Sequence, residues 1–211
     1  MYATIADLRA EGVTEFEADD ARLTALLTEA TAAIDAMTGW FFEPRALTIR
    51  LDGRGTPTLE PPAPPIRVDT LTIDGTPISL DPEDLVVIGA PVQPGFSAPR
   101  ITRCYGVFPR GCGNIAIDGL WGYTEDDATD PDGRVPYEIR RVCMLIVLRC
   151  IYPLADADSD DARNAWRVTA MRTRDQSVGF ARPGPAGPYT GDPEIDRVLT
   201  RYRRPHGLGA A

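Results

Sequence analysis

The chain has 211 residues, room for one ordinary domain with a smaller one inserted, and its 43% hydrophobic and 25% charged residues are those of a globular protein able to bury a core. A net charge of −9 makes it a poor wrapper of nucleic acid, which needs cations along its surface. The longest apolar run, residues 142–148, falls far short of the roughly 20 needed to span a bilayer, and no basic-then-apolar signal follows Met1.

In chain order, Thr4 with Asp7 three residues on predicts a capping box, and Gly12 a stop, so a short helix lies between them. Asp19 and Asp20 suit the start of a second helix, on which Leu23, Leu26, Leu27, Ala30, Ile34 and Met37 fall on one face. Gly39 ends it, and Trp40-Phe41-Phe42 reads as an aromatic core plug. From Arg45 the period changes to 2. Leu47, Ile49 and Leu51 alternate with Thr48 and Arg50, and Asp52-Gly53 reads as a turn. Residues 61–65 hold too much proline for a central strand. Residues 68–73 read as a strand, Asp74-Gly75 as a tight hairpin, and Ile78 and Leu80 as its return. Residues 85–88, 101–105 and 114–121 complete six or seven short strands, predicting a small antiparallel sandwich or barrel.

Helix returns at Pro136, and residues 137–152 are apolar on nearly every side, predicting a central, buried helix closed by Pro153. Residues 158–161 read as the cap of another helix, carrying Ala162, Ala165, Trp166 and Thr169 on one face. A glycine–proline linker follows. Asp192-Pro193 then caps a last helix with the apolar stripe Ile195, Val198, Leu199 and Tyr202, among Arg197, Arg201, Arg203 and Arg204. The expected fold class is α+β: a helical bundle interrupted by a small antiparallel β-sandwich or barrel insertion, with a tethered C-terminal helix. The expected divisions are 1–44 (first helical half), 45–124 (β insertion), 125–182 (second helical half), 183–191 (linker), 192–204 (C-terminal helix) and 205–211 (tail).

Charge is unevenly spread. Residues 1–133 hold 9 arginines and 22 acids, residues 134–211 hold 13 arginines and 9 acids, and there is no lysine. Such polarity suits a protein that stacks against different partners at its two ends.

A catalytic inventory comes out nearly empty. The one histidine, His206, sits in the glycine-rich tail, so no histidine-based triad or two-histidine metal site can be built. Residues 156–160 resemble the start of a calcium loop, but Asp161 stands where glycine is needed and Arg167 where glutamate is needed. Gly111-Cys112-Gly113-Asn114 precedes a strand instead of opening a helix, so it is no phosphate loop, and Asp126, Asp127, Asp130 and Asp132 read as a solvated loop. Cys143 and Cys150 read as buried thiols. Cys104 and Cys112 could pair across a hairpin, but free thiols in a reducing compartment are the better reading. No enzyme, no catalytic or metal residues and no cofactor are expected.

Several segments together resemble the head–tail adaptors (connector or head-completion proteins) of tailed bacteriophages. They are residues 34–42 (IDAMTGWFF), Pro65-Ile66-Arg67-Val68, the Ile73-Asp74-Gly75 turn, residues 114–123 (NIAIDGLWGY), and Val135-Pro136-Tyr137-Glu138-Ile139 opening a long apolar helix. The resemblance implies a structural, non-enzymatic protein at the head–tail junction of a virion, assembled in the bacterial host cytoplasm. It implies a ring of self-associated subunits, commonly a dodecamer, docked beneath the portal protein and presenting a platform to a stopper or tail-completion protein. Double-stranded DNA would pass through the lumen without sequence-specific binding, and no membrane is involved. It further implies that residues 192–204 anchor the chain to the portal through Ile195, Arg197, Val198, Leu199, Arg201, Tyr202, Arg203 and Arg204. From the residues alone, packing of that helix on its own subunit stays open. Other readings are a different neck component such as a stopper, a carboxylate-dependent hydrolase, or a binding module built on the β insertion.

Overall fold

The structure is a computed structural model and describes residues 1–90, 99–151, 168–172, 177–180 and 190–204. The chain divides into two compact units: Met1–Thr38 with Tyr137–Arg201, and Gly39–Pro136 with Tyr202–Ala211. The class is α+β, as the change of hydrophobic period predicts.

Among the described residues the first unit holds four helices: α1 (Ile5–Ala10), α2 (Asp20–Thr38), α3 (Tyr137–Arg149) and α4 (Pro193–Arg201). The capping box that opens α1 is formed, with Asp7 N–H donating to Thr4 Oγ1 at 3.2 Å and Thr4 N–H to Asp7 Oδ2 at 2.8 Å. Asp7 also accepts from Arg140 of α3 at 3.1 Å, so one carboxylate caps the start of α1 and ties two distant segments together. Its partial burial pushes the carboxyl up, but bonds from Thr4 and Arg140 outweigh this and hold it below the usual carboxylate range. Along α2 the predicted face is buried at Leu23, Leu26, Leu27, Ala30 and Ile34. That face packs against α3 and α4.

Helix α3 ends at Arg149, and its burial is one-sided. Ile139, Val142, Cys143 and Val147 are buried, while Met144, Leu145, Ile146 and Leu148 are half-buried. The expectation of a helix buried all round is corrected to that extent. Burial pushes the Cys143 thiol up to about 11, and all four cysteines are free.

The helix expected after residue 158 is corrected where it can be seen. Thr169 lies in β8 (Val168–Arg172), which pairs antiparallel with β9 (Ser177–Phe180). Val168, Thr169 and Val178 are β-branched and favour the extended chain. Ala162, Ala165 and Trp166, the acidic stretch 156–161, most of the glycine–proline linker and the tail with His206 lie outside the described residues.

Among the described residues the second unit holds two open sheets and no closed barrel. One has the order β1-β7-β3-β4, with β1 at Arg45–Gly53, β3 at Pro65–Ile73, β4 at Thr76–Pro77 and β7 at Gly111–Trp121. The other has the order β2-β6-β5, with β2 at Thr58–Leu59, β5 at Leu85–Ile88 and β6 at Arg100–Arg103. A single apolar core takes Leu71, Ile115, Ile117 and Trp121 from the first sheet and Leu59, Leu85 and Ile101 from the second, with Phe108 from the loop before β7. The Asp74-Gly75 hairpin forms as predicted. Thr76 pairs with Ile73 around the two turn residues, whose φ values of 50° and 78° are those of a type I′ turn. Asp52-Gly53 is not a turn. Both residues finish β1, because Asn114 Oδ1 accepts from Gly53 N–H at 2.9 Å and continues the pairing.

Candidate functional site

The C-terminal segment is held from its first residue. The Asp192 side chain is only 4% exposed and caps α4 by accepting from Glu194 N–H at 2.9 Å. The same carboxylate accepts from Arg149 Nε at 2.9 Å and pairs with its guanidinium, so a buried charge has a buried-side partner at the end of α3. Asp196 reaches back to take Thr190 N–H at 2.9 Å and Thr190 Oγ1 at 2.8 Å, which closes the chain over the helix start. Two further pairs tie α4 to α3: Arg141 to Glu194 at 3.3 Å, and Arg201 to Glu138 at 2.9 Å. With Asp192 beside Arg149 and Arg201 beside Glu138, the two helices run antiparallel.

The apolar stripe faces inward. Ile195, Val198 and Leu199 are 1%, 8% and 0% exposed, packed against α2 and α3. Tyr202, the next stripe residue, belongs to the other unit. There its ring lies edge-on to Phe42 at 5.8 Å and to Tyr123 at 5.5 Å. All four side chains of the stripe are thus buried within the chain itself. Arg197, Arg201, Arg203 and Arg204 stay exposed, with Arg204 over the Trp40 ring at 5.2 Å. The structure brings the eight candidate residues together in sequence but divides them by role, apolar ones into the core and arginines to the surface.

The β unit carries two polar surfaces, of which the sequence singles out only the acids at 126, 127, 130 and 132. A groove of about 660 Å³ lies between the end of β1 and β2, lined by Arg50, Asp52, Arg54, Thr58, Glu60 and Arg204. On the opposite flank of the same sheet, residues 124–133 fold back on themselves through the Glu125–Arg134 bridge beside the start of β3. Arg134 reaches Asp127 at 3.5 Å and Arg67 reaches Asp132 at 3.2 Å, while Asp126 and Asp130 are exposed. On the open face of the sheet, Asp118 of β7 accepts from Thr48 of β1 and from Thr70 of β3 at 2.8 Å. These bonds, Thr48's first, hold its carboxyl below the usual range and staple three strands.

Among the described residues no three His, Cys, Asp or Glu side chains are grouped to hold a metal ion, and no helix is long and apolar enough to cross a membrane.

No protein family model matches the chain, and no curated protein matches it. Its fold is similar to that of solved structures. One is a chain in the neck of a native gene transfer agent (GTA) particle computed with C12 symmetry, with a TM-score of 0.58 and 16% identity over 97% of this chain and 90% of that one. Another is from the neck of an empty GTA particle computed with C6 symmetry, with a TM-score of 0.58 and 17% identity over 99% and 92%. At such identity the likeness is one of fold, and it extends over nearly the full length of both chains.

Proposed function

We propose that the chain is a structural component of a phage-like neck, a head–tail adaptor that forms a ring beneath a portal protein. In this role it extends the DNA channel and offers a platform to a stopper or tail-completion protein. The observation that carries the reading is the end-to-end fold similarity to chains of GTA necks, helices and β unit alike. Its location would be the virion, after assembly in the bacterial host. The net charge of −9 suits a lumen through which DNA slides, since like charge removes the counterion-release attraction.

Portal contact by the C-terminal segment takes a narrower form than the sequence implied. With Ile195, Val198 and Leu199 buried in the chain's own core, the surface left to a portal is the outer face of α4 with Arg197 and Arg201. Negative-stain imaging of the purified chain mixed with its portal tests both points. The expected result is a ring seated on the portal. Arg197→Glu should keep the fold and lose the seating. A chain that neither forms rings nor binds the portal would refute the adaptor reading. Undiminished seating of Arg197→Glu would refute only the role of α4.

A further inference from the structure

The four-stranded sheet has two different ends. At one end β1 presents a nine-residue edge, and among the described residues no strand lies outside it. Open edges of this length invite pairing, and proteins usually blunt them with lysine, proline or a bulge. Residues 45–51 contain neither lysine nor proline and pair with β7 in unbroken register, the irregularity coming only at 51/53. The arginine-lined groove runs beside this edge. Arg50, Arg54 and Arg204 are exposed there, and Arg110 lies alongside, donating to the Arg54 carbonyl at 3.3 Å. Two acids oppose them, and one, Asp52, already accepts from Gly113 N–H. The flank is net basic.

At the other end, β3 is covered by β4 and Ile78 only over Leu71 to Ile73. Beside its uncovered half stand the carboxylates of Asp69 and of residues 124–133, against the two arginines 67 and 134. Bulges between 65 and 67 and between 68 and 70 break the regularity of this edge. This flank is net acidic, and its exposed charges Asp126 and Asp130 stand off the sheet.

Resting on the ring reading above, we propose that the groove beside β1 is the docking surface for a second copy of this chain, which presents its acidic 124–133 flank. Charge complementarity selects that occupant: one unit carries both halves of the contact on opposite edges of one sheet. Because the two halves are different surfaces, the contact is head-to-tail and propagates until it closes. Two like copies meeting groove to groove would set arginine against arginine.

Charge reversal tests this on the full chain. In Arg50→Glu/Arg54→Glu both flanks are acidic; in Asp126→Arg/Asp130→Arg the exposed tip of the 124–133 flank is basic and that flank as a whole is neutral. All four positions are exposed, and circular dichroism reports whether each variant keeps the fold. Sedimentation velocity should show wild-type rings that weaken with salt, and each variant alone should need at least about tenfold more protein to assemble. Mixing the two variants should restore rings, because between alternating copies the charges at 50 and 54 again oppose those at 126 and 130 in every contact. Assembly of either variant at the wild-type concentration, or a mixture that stays unassembled while wild type forms rings, overturns the assignment of the surface. Wild-type chain that stays monomeric throughout overturns the ring reading together with it.

Discussion

Leu199 is the sharpest point at which to ask whether α4 belongs to its own chain. It is fully buried between α2 and α3. Leu199→Ala removes three carbon groups worth about 0.8 kcal/mol each in transfer free energy, about 2.5 kcal/mol together. The tightly packed site cannot collapse fully, and the residual cavity raises the cost to about 3–4 kcal/mol. For a chain of this size, each kcal/mol lowers the melting temperature by roughly 2–4 °C, so a drop on the order of 10 °C is expected by differential scanning calorimetry. Hydrogen exchange should show loss of protection at the α4 amides before the rest of the helical unit. Arg197→Glu, on the exposed face, should melt with the parent. A Leu199→Ala protein that melts within about 1 °C of the parent, with α4 protection unchanged, would show that the helix is not docked at home.

Gly119→Ala places a Cβ 2.2 Å from the Arg67 carbonyl oxygen, in a strand paired on both sides, and should cost at least about 2 kcal/mol in urea denaturation; an unshifted midpoint would contradict that approach. Thiol labelling followed by peptide mapping should find Cys104 and Cys112 modified in the folded protein and Cys143 only after denaturation, since the last is buried with its thiol pushed up to about 11. Labelling of Cys143 as fast as the exposed pair would be the contrary result. Asp7 has a folded pKa below its ordinary 3.8, so its contribution to stability is complete above that value and is lost as pH falls through the lower folded one. Asp7→Asn should therefore lose stability near neutral pH and show a shallower decline than wild type below about pH 4; parallel acid limbs would refute the linkage.

What could be read in advance was what depends on neighbours in sequence. Asp74-Gly75 demands positive φ at two successive residues and little else satisfies it; the α1 capping box and the buried face of α2 are equally local. Asp52-Gly53 misled because a turn-forming dipeptide was overruled by pairing with β7 and by the side chain of Asn114, sixty-one positions away. The start of β8 reads as helix because the spacing of Ala162, Ala165, Trp166 and Thr169 outweighs the β-branched character of Val168 and Thr169. At the candidate site, the stripe on α4 was legible but its destination was not. The groups that hold it, Arg149 for Asp192 and Glu138 for Arg201, lie 43 and 63 residues away. Charge misled in a similar way. The sequence divides it into an acidic front and a basic back, whereas the opposed flanks of the sheet are both drawn largely from the front, because the two edges of one sheet need not be distant in sequence.

The helical unit is discontinuous in the chain, with residues 39–136 standing between its two parts. Arg140 meets Asp7 across 133 positions, and Arg22 donates to the Cys150 carbonyl across 128. During synthesis, α1 and α2 leave the ribosome long before α3 exists, and their apolar face has nothing to cover it. Every strand of the two sheets is complete by Trp121, before α3 begins. Order of appearance thus favours a folded β unit first, which replaces a long flexible loop by a fixed spacer and removes most of the entropy cost of bringing the helices together. A nascent chain stalled before residue 137 would carry both sheets of the β unit, without Tyr202 against Phe42 and Tyr123, and an exposed leucine-rich helix, the species a chaperone should meet.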